Sequence, residues 1–240
     1  MTNYEKVHDK VYDRCFIADF SVCICQDKIP REQRKVSAFT AIKASGIANV
    51  YLIKGSQEKV EVEVNDQEFN DRLKIEVANN TLVIRMENME KWNNRNKDIE
   101  LKIYVTYNNL VSLEGSGATN FYADGEIKAA QFKLDLSGAN NSKLNIIADK
   151  ITVETSGASN ATLTGRANRL DISSSGASNV KAYELKAESV NAESSGVANI
   201  YVTAQDNLEV RASGLSNINY KGNAKVITRE VSKMASVHKH

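Results

Sequence analysis

One five-residue phrase, Ser-Gly-x-x-Asn, occurs seven times in 240 residues and restricts the chain to folds built from stacked copies of one unit. Its glycines are Gly46, Gly117, Gly138, Gly157, Gly176, Gly196 and Gly214, and its asparagines are Asn49, Asn120, Asn141, Asn160, Asn179, Asn199 and Asn217. From Gly117 onward the glycines recur at intervals of about 18 to 21 residues, the period of a solenoid. The first interval, from Gly46 to Gly117, is more than three times as long, so residues 36–110 hold additional elements between the first and second copies.

Aligning the copies on their glycines exposes a core. Six positions before the glycine stand Val111, Phe132, Ile151, Leu170, Val190 and Leu208; four before stand Leu113, Leu134, Val153, Ile172, Ala192 and Val210. The residues between them are polar, so this stretch is a strand with one face inward. The residue after the glycine, Ala118, Ala139, Ala158, Ala177, Val197 or Leu215, is expected to tuck inside a corner. Six positions after the glycine a second inward strand begins with Ala123, Leu144, Leu163, Ala182, Val202 and Tyr220. Each repeat therefore reads as strand, tight corner, strand and return. The predicted fold is all-β, a parallel β-helix (β-solenoid) with rungs of about 18–21 residues over 111–223 and an irregular, strand-rich first part.

The phrase itself reads as structural. Glycine suits a corner that needs positive φ. The serine before it and the asparagine three after it can bond backbone groups that the corner leaves unpaired, and stacked asparagines can form a ladder.

The first part has its own signals. Val60-Glu61-Val62-Glu63-Val64, Leu73-Lys74-Ile75-Glu76-Val77, Thr81 to Met86 and Ile99 to Val105 alternate with period two. Asn79-Asn80 marks a hairpin turn, and Asn65 to Arg72 a polar link with room for one helical turn. A polar insertion at 87–98 carries the one tryptophan, Trp92. It is either a binding loop with an aromatic anchor or a loop whose tryptophan folds back over the sheet. Residues 1–35 differ from the rest. Cys15 to Cys25 is an apolar run interrupted by Asp19, which reads either as a degenerate export signal ending before Gln26 or as a cover for the open end of the solenoid. Residues 224–240 are expected to form a C-terminal cap and a basic tail.

Composition narrows the function classes. Thirty-one basic and 30 acidic residues give a net charge of +1, which supplies no field for nucleic acid. No stretch is long and apolar enough for a transmembrane helix. The three cysteines lie in 15–25 and the histidines at the two ends, so neither zinc-site spacing nor a disulfide framework is present, and the pattern calls for no cofactor. Pro30 is the sole proline, as continuous ladders require.

The repeated phrase, the opening Phe39-Thr40-Ala41-Ile42-Lys43-Ala44-Ser45-Gly46-Ile47-Ala48-Asn49-Val50-Tyr51-Leu52 and the closing Lys225-Val226-Ile227-Thr228-Arg229-Glu230-Val231-Ser232 resemble the head GIN domain of putative autotransporter adhesins. The likeness spans about residues 36–237. It implies a β-helical fold, a bacterial protein of Bacteroidetes type, and export to the periplasm, the outer membrane surface or the medium. It brings no catalytic residues.

No nucleophile elbow, phosphate loop or metal-ligand cluster stands in the sequence. Two outer columns are candidate binding surfaces. Three before the glycine run Glu114, Asp135, Glu154 and Glu193, interrupted by Ser173 and Arg211. Stacked carboxylates repel, so this column is either a calcium site or an ordinary solvated face with nearby lysines. Five after the glycine run Tyr122, Lys143, Thr162, Lys181, Tyr201 and Asn219, where Tyr122 and Tyr201 could stack on sugar rings. The expected function is a non-enzymatic surface or envelope module that binds a glycan or a protein. The alternatives are a polysaccharide-active β-helix enzyme using the acidic column, or a self-associating scaffold.

Overall fold

A computed structural model describes residues 30–88 and 99–240. The Trp92 loop and the run from Cys15 to Cys25 lie outside the described residues. The rest is a β-solenoid of about six turns. No helix among the described residues is long and apolar enough to cross a membrane.

The order is β1 (Glu32–Arg34), β2 (Ala41–Lys54), β3 (Lys59–Val64), α1 (Gln67–Arg72), β4 (Leu73–Ala78), β5 (Thr81–Met86) and β6 (Leu101–Tyr107). There follow β7 (Ser112–Gly138), β8 (Asn141–Thr155), β9 (Asn160–Ser174), β10 (Asn179–Ser194), β11 (Asn199–Ala212), β12 (Asn217–Lys221), β13 (Lys225–Val231) and β14 (Ser236–Lys239). Strands β2, β7, β8, β9, β10 and β11 stack in parallel, each carrying one coil, and the coils are held in register by their corners.

The long first interval has a simple geometry. β2 pairs with β7 from Ala41↔Ser112 to Leu52↔Ala123, so Gly46 lies directly beside Gly117 despite their distance in sequence. The excursion between them returns to cover the other side of β2, with β5 along Ala41–Ala44 and β6 along Asn49–Lys54. Two antiparallel additions follow outward, β3 on β6 and β4 on β5, and β1 then pairs with β3. The parallel stack thus ends here in antiparallel strands. The expected helical turn is α1, capped by the Asp66 carboxylate, which accepts from Phe69 N at 2.9 Å. Asn79 and Asn80 turn the β4–β5 hairpin with φ of 50° and 58°.

The predicted inward columns are inside except at their ends, where Val111, Ala123 and Tyr220 are half-buried. Leu113, Leu134, Val153, Ala192 and Val210 are all inaccessible to solvent, and Leu144, Leu163, Ala182 and Val202 face them across the core. The corner differs from expectation in two respects. The residue after the glycine points outward: Ile47, Val197 and Leu215 are each more than half exposed. The chain turns through the glycine so that the following residue, two after it, enters the core instead, and Thr119, Asn140, Ser159, Ser178 and Ser216 are fully buried there. These side chains, rather than the serine before the glycine, close the corner. Thr119 Oγ1 donates to Ser116 O at 3.0 Å, Ser159 Oγ to Ser156 O at 2.8 Å, Ser178 Oγ to Ser175 O at 2.8 Å and Ser216 Oγ to Ser213 O at 2.7 Å. Asn140 Nδ2 does the same to Ser137 O at 2.6 Å. Each bond satisfies a carbonyl that would otherwise be unpaired where the chain turns.

The glycines are fixed by both conformation and space. All seven have positive φ, from 69° to 103°. A Cβ on Gly117, Gly138, Gly157, Gly176, Gly196 or Gly214 would meet the carbonyl oxygen of the preceding corner glycine at 2.5–2.7 Å. That oxygen is committed: Gly138 O, for example, accepts from Ala158 N at 2.7 Å. Residues 225–239 add one more coil, β13 on β11 and β14 on β12, beyond the last Ser-Gly-x-x-Asn copy.

Gly157→Ala is expected to lower the unfolding free energy by about 2–4 kcal/mol, from the left-handed backbone and the backbone contact together. Gly125→Ala, where nothing lies within 4 Å of the new methyl and φ is not positive, should change it by less than about 0.5 kcal/mol. Urea denaturation of the two variants checks the contrast.

Candidate functional site

Two outer faces carry the candidate residues. They flank the glycine corner, one before it and one after it along each coil.

On the face after the corner, the asparagines form a continuous ladder. Asn120 Nδ2 donates to Asn49 Oδ1 at 2.9 Å, Asn141 to Asn120 at 3.2 Å and Asn160 to Asn141 at 3.2 Å. Asn179 donates to Asn160 at 3.0 Å, Asn199 to Asn179 at 2.9 Å and Asn217 to Asn199 at 3.0 Å. Ser236 Oγ, in the added coil, donates to Asn217 Oδ1 and ends the series. The amides thus point one way along the solenoid, an arrangement in which each bond polarises the next.

Two positions further on lies the tyrosine column. Tyr122 stacks on Tyr51 with ring centroids 5.3 Å apart, and Tyr51 stacks on Tyr104 at 5.2 Å. The guanidinium of Arg31 covers the far side of Tyr104, 3.8 Å from its centroid. One face of Tyr122 is therefore occupied by a neighbouring ring, which narrows the sugar-stacking surface expected of it. Tyr104 Oη donates to Glu63 at 3.2 Å, and Lys102 and Arg31 each reach the same carboxylate at 3.3 Å. Burial works to raise the Glu63 pKa, but the hydrogen bonds from Lys102 and Arg31 outweigh it and hold the carboxyl below its ordinary range. Tyr51 is legible in the sequence, because it stands five after Gly46 just as Tyr122 stands five after Gly117. Tyr104 is not, since only the return of β6 beside β2 brings it there.

At the other end of the column, Tyr201 meets Tyr183 edge to face at 5.4 Å. Lys221 Nζ lies 4.3 Å above the Tyr183 ring, and His240 lies 6.3 Å from it while bonding Asn219 Oδ1 at 3.1 Å. Burial, with a smaller contribution from Tyr201, raises the Tyr183 pKa. Tyr183 escapes the alignment because it sits in the extra residues where the register of β10 shifts against both neighbours.

On the face before the corner, the acidic column is present and partly compensated by cations. Glu114 pairs with Lys43 directly opposite in β2. Lys133 reaches Glu154 at 2.8 Å and Asp135 at 3.6 Å. Arg211 stands within the column and reaches Glu193 at 3.0 Å and Glu230 at 3.7 Å. Among the described residues no group of three His, Cys, Asp or Glu side chains is placed to hold a metal ion. Asp135 bears the residual repulsion. Burial, then the charges of Glu154 and Glu114, raises its pKa against the pull of Lys133. Two positions back in the coil, Asp171 is the opposite case. Burial works to raise it, but Arg169 at 2.9 Å and Lys150 at 3.1 Å outweigh that and bring it below the ordinary range.

The comparisons bear on this geometry. Residues 38–224 match the family model described as "Putative auto-transporter adhesin, head GIN domain". The chain belongs to this family. No curated protein matches it. Among solved structures, a putative adhesin from Bacteroides fragilis is similar at a TM-score of 0.82 and 21% identity, with 90% of this chain and 98% of that one covered. A putative adhesin from Parabacteroides distasonis gives 0.65 and 24%, over 90% and 98%. One from Parabacteroides merdae gives 0.62 and 18%, over 90% and 97%. At such identities these likenesses show the fold, and the β-solenoid is common to them all. Membership of the head GIN family goes with an adhesin-like surface module.

The two aspartates predict opposite pH behaviour. Asp135, with its raised pKa, weakens the fold when ionised, so Asp135→Asn should raise the thermal midpoint at pH 7. That gain should disappear once the pH falls below the ordinary aspartate range. Asp171→Asn should lower the midpoint at pH 7, and the loss should disappear as the pH falls through the depressed pKa of Asp171. Thermal melts of both variants from pH 7 to acid check the signs.

Proposed function

We propose that this head GIN domain is a non-enzymatic module of the cell surface or envelope that binds a glycan or protein partner through its outer β-faces. The observation that carries the reading is the face after the corner. It is a rigid wall on which an uncharged asparagine ladder runs beside half-exposed tyrosines, Tyr51 and Tyr122 near one end and Tyr201 near the other. Interfaces draw their energy from rigid aromatic groups with few rotatable bonds, set on a scaffold that loses little entropy on binding. Family membership supports export and an adhesin-like role. The engagement of the acidic column by Lys43, Lys133 and Arg211 speaks for a binding module over a polysaccharide-active enzyme, because an acid and base pair needs carboxylates free to exchange protons with substrate.

The test combines location with capture. Fractionation of the native cells should place the protein in the envelope or medium, and glycan arrays with surface-protein pull-downs should return a partner. Tyr201→Ala should weaken its capture about tenfold, the effect of losing an interface anchor worth about 1–2 kcal/mol. A cytosolic protein with no partner in either screen overturns the reading.

A further inference from the structure

Where the acidic column is broken, the surface carries a groove of about 500 Å³ whose chemistry differs from the rest of the face. Six of its eleven lining residues are serines, and Glu193, Arg211 and Glu230 stand among them. We infer that this groove is a binding site for the hydroxyl groups of an uncharged sugar. The inference rests on the reading of the domain as a partner-binding module and names both the class of partner and the place.

Three observations meet at the groove. The first is a supply of unused hydroxyls. The backbone N–H groups of Ser195, Ser213 and Ser232 are consumed by the coil below, donating to Ser174 O, Ser194 O and Ala212 O at 2.9 Å each. Their side-chain hydroxyls, with that of Ser173, have no hydrogen-bond partner among the described residues. Ser195 and Ser213, which precede Gly196 and Gly214, and Ser232 at the matching place in the added coil are all exposed to solvent. Ser195, Ser213 and Ser232 occupy successive coils and so form a row spaced about 4.8 Å apart. Each hydroxyl donates one hydrogen bond and accepts two, which suits the mixed donor and acceptor character of a polyol.

The second is a fixed fork of charge. Arg211 is held between Glu193 at 3.0 Å, Glu230 at 3.7 Å and Glu209 at 3.8 Å. The guanidinium offers donors in a rigid plane, and the flanking carboxylates offer acceptors on either side of it. Adjacent sugar hydroxyls each need one of both.

The third is the sign of the charge. Two carboxylates, Glu193 and Glu230, line the groove with one guanidinium, so its lining carries a net negative charge that repels uronic, sialic, sulfated and phosphorylated groups. A groove of this volume accommodates a small ligand of one or two rings, and its solvent-facing side leaves room for the rest of a longer chain. Elsewhere on the same column stand carboxylates and, in the first coil, Lys43, so the feature is confined to the last coils.

The experiment is amide-resolved NMR titration of the intact chain with neutral oligosaccharides of glucose, galactose and mannose, and separately with a uronic-acid oligomer. Shifts centred on Ser195, Arg211, Ser213 and Ser232 with a neutral sugar, and none there with the uronic oligomer, are expected. Ser213→Leu, which fills the groove, and Glu230→Gln, which keeps its shape, should each weaken that binding at least tenfold with unchanged melting temperature. Absence of groove shifts with every neutral sugar overturns the inference, as does equal binding of the uronic oligomer. If the surface partner is captured equally by wild type and Ser213→Leu but lost in Tyr201→Ala, the groove is refuted while the partner-binding reading stands.

Discussion

Everything in this solenoid depends on glycine resting on glycine. At each corner the chain takes up a positive φ, and the carbonyl of one glycine accepts a hydrogen bond from the residue that follows the glycine of the next coil. A side chain on the glycine of the next coil would meet that carbonyl oxygen. The contact sets the distance between coils and, because it recurs in every coil, the register of everything attached to them. The coils differ slightly in length, yet the strands on both sides of the corner remain aligned. The surplus is absorbed away from the corner, at the register shifts between Tyr122 and Glu126 and around Lys181 to Glu184.

A fixed register has a consequence for the outside of the molecule. Like positions stand one above another at a strand's separation, so a column either cooperates or conflicts along its whole length. Asparagine cooperates, since an amide donates on one side and accepts on the other, and six such bonds join its seven members. Tyrosine cooperates by stacking, as Tyr104, Tyr51 and Tyr122 do. Carboxylates conflict, and the column that bears them survives through cations drawn from three places: the strand opposite, a neighbouring column and the column itself. Asp135 is where this compensation is least complete, with acidic neighbours on both sides and one lysine shared with Glu154.

The period of the sequence makes the coil, its inward columns and its asparagine ladder legible from the residues alone, because repetition averages away the irregularities of each copy. What it hides lies in positions where the copies disagree or where distant segments meet. The residue two after the glycine varies among Ala, Thr, Asn and Ser, so it looks unconstrained, although in five copies its side chain closes the corner. The residue after the glycine is apolar in every copy and suggests burial, but the turn at positive φ directs it outward. The neutralisation of Glu114 by Lys43 and the stacking of Tyr104 on Tyr51 require the long excursion between Gly46 and Gly117 to close on itself, which periodicity alone does not encode. Residues 30–35 reach further than the sequence indicates, since Arg31 covers Tyr104 and β1 lies on the edge of the sheet.

These constraints indicate where recognition is to be sought on such a scaffold. A position that is the same in every coil is accounted for by stacking: glycine by space, asparagine by the ladder, the inner residues by the core. Selection for a partner has freedom only where a column departs from its own rule without loss of stability. The acidic column departs at Ser173 and Arg211, and there the outer side chains leave a groove beside unengaged serine hydroxyls. The tyrosine column departs at Tyr183, an extra residue that sets a second ring against Tyr201 and draws Lys221 and His240 around it. Both departures fall in the last coils of the solenoid, on the two faces that flank one corner. The regular coils before them hold these surfaces rigid and at a fixed separation, so that a ligand pays little of the entropy that a mobile loop would demand of it.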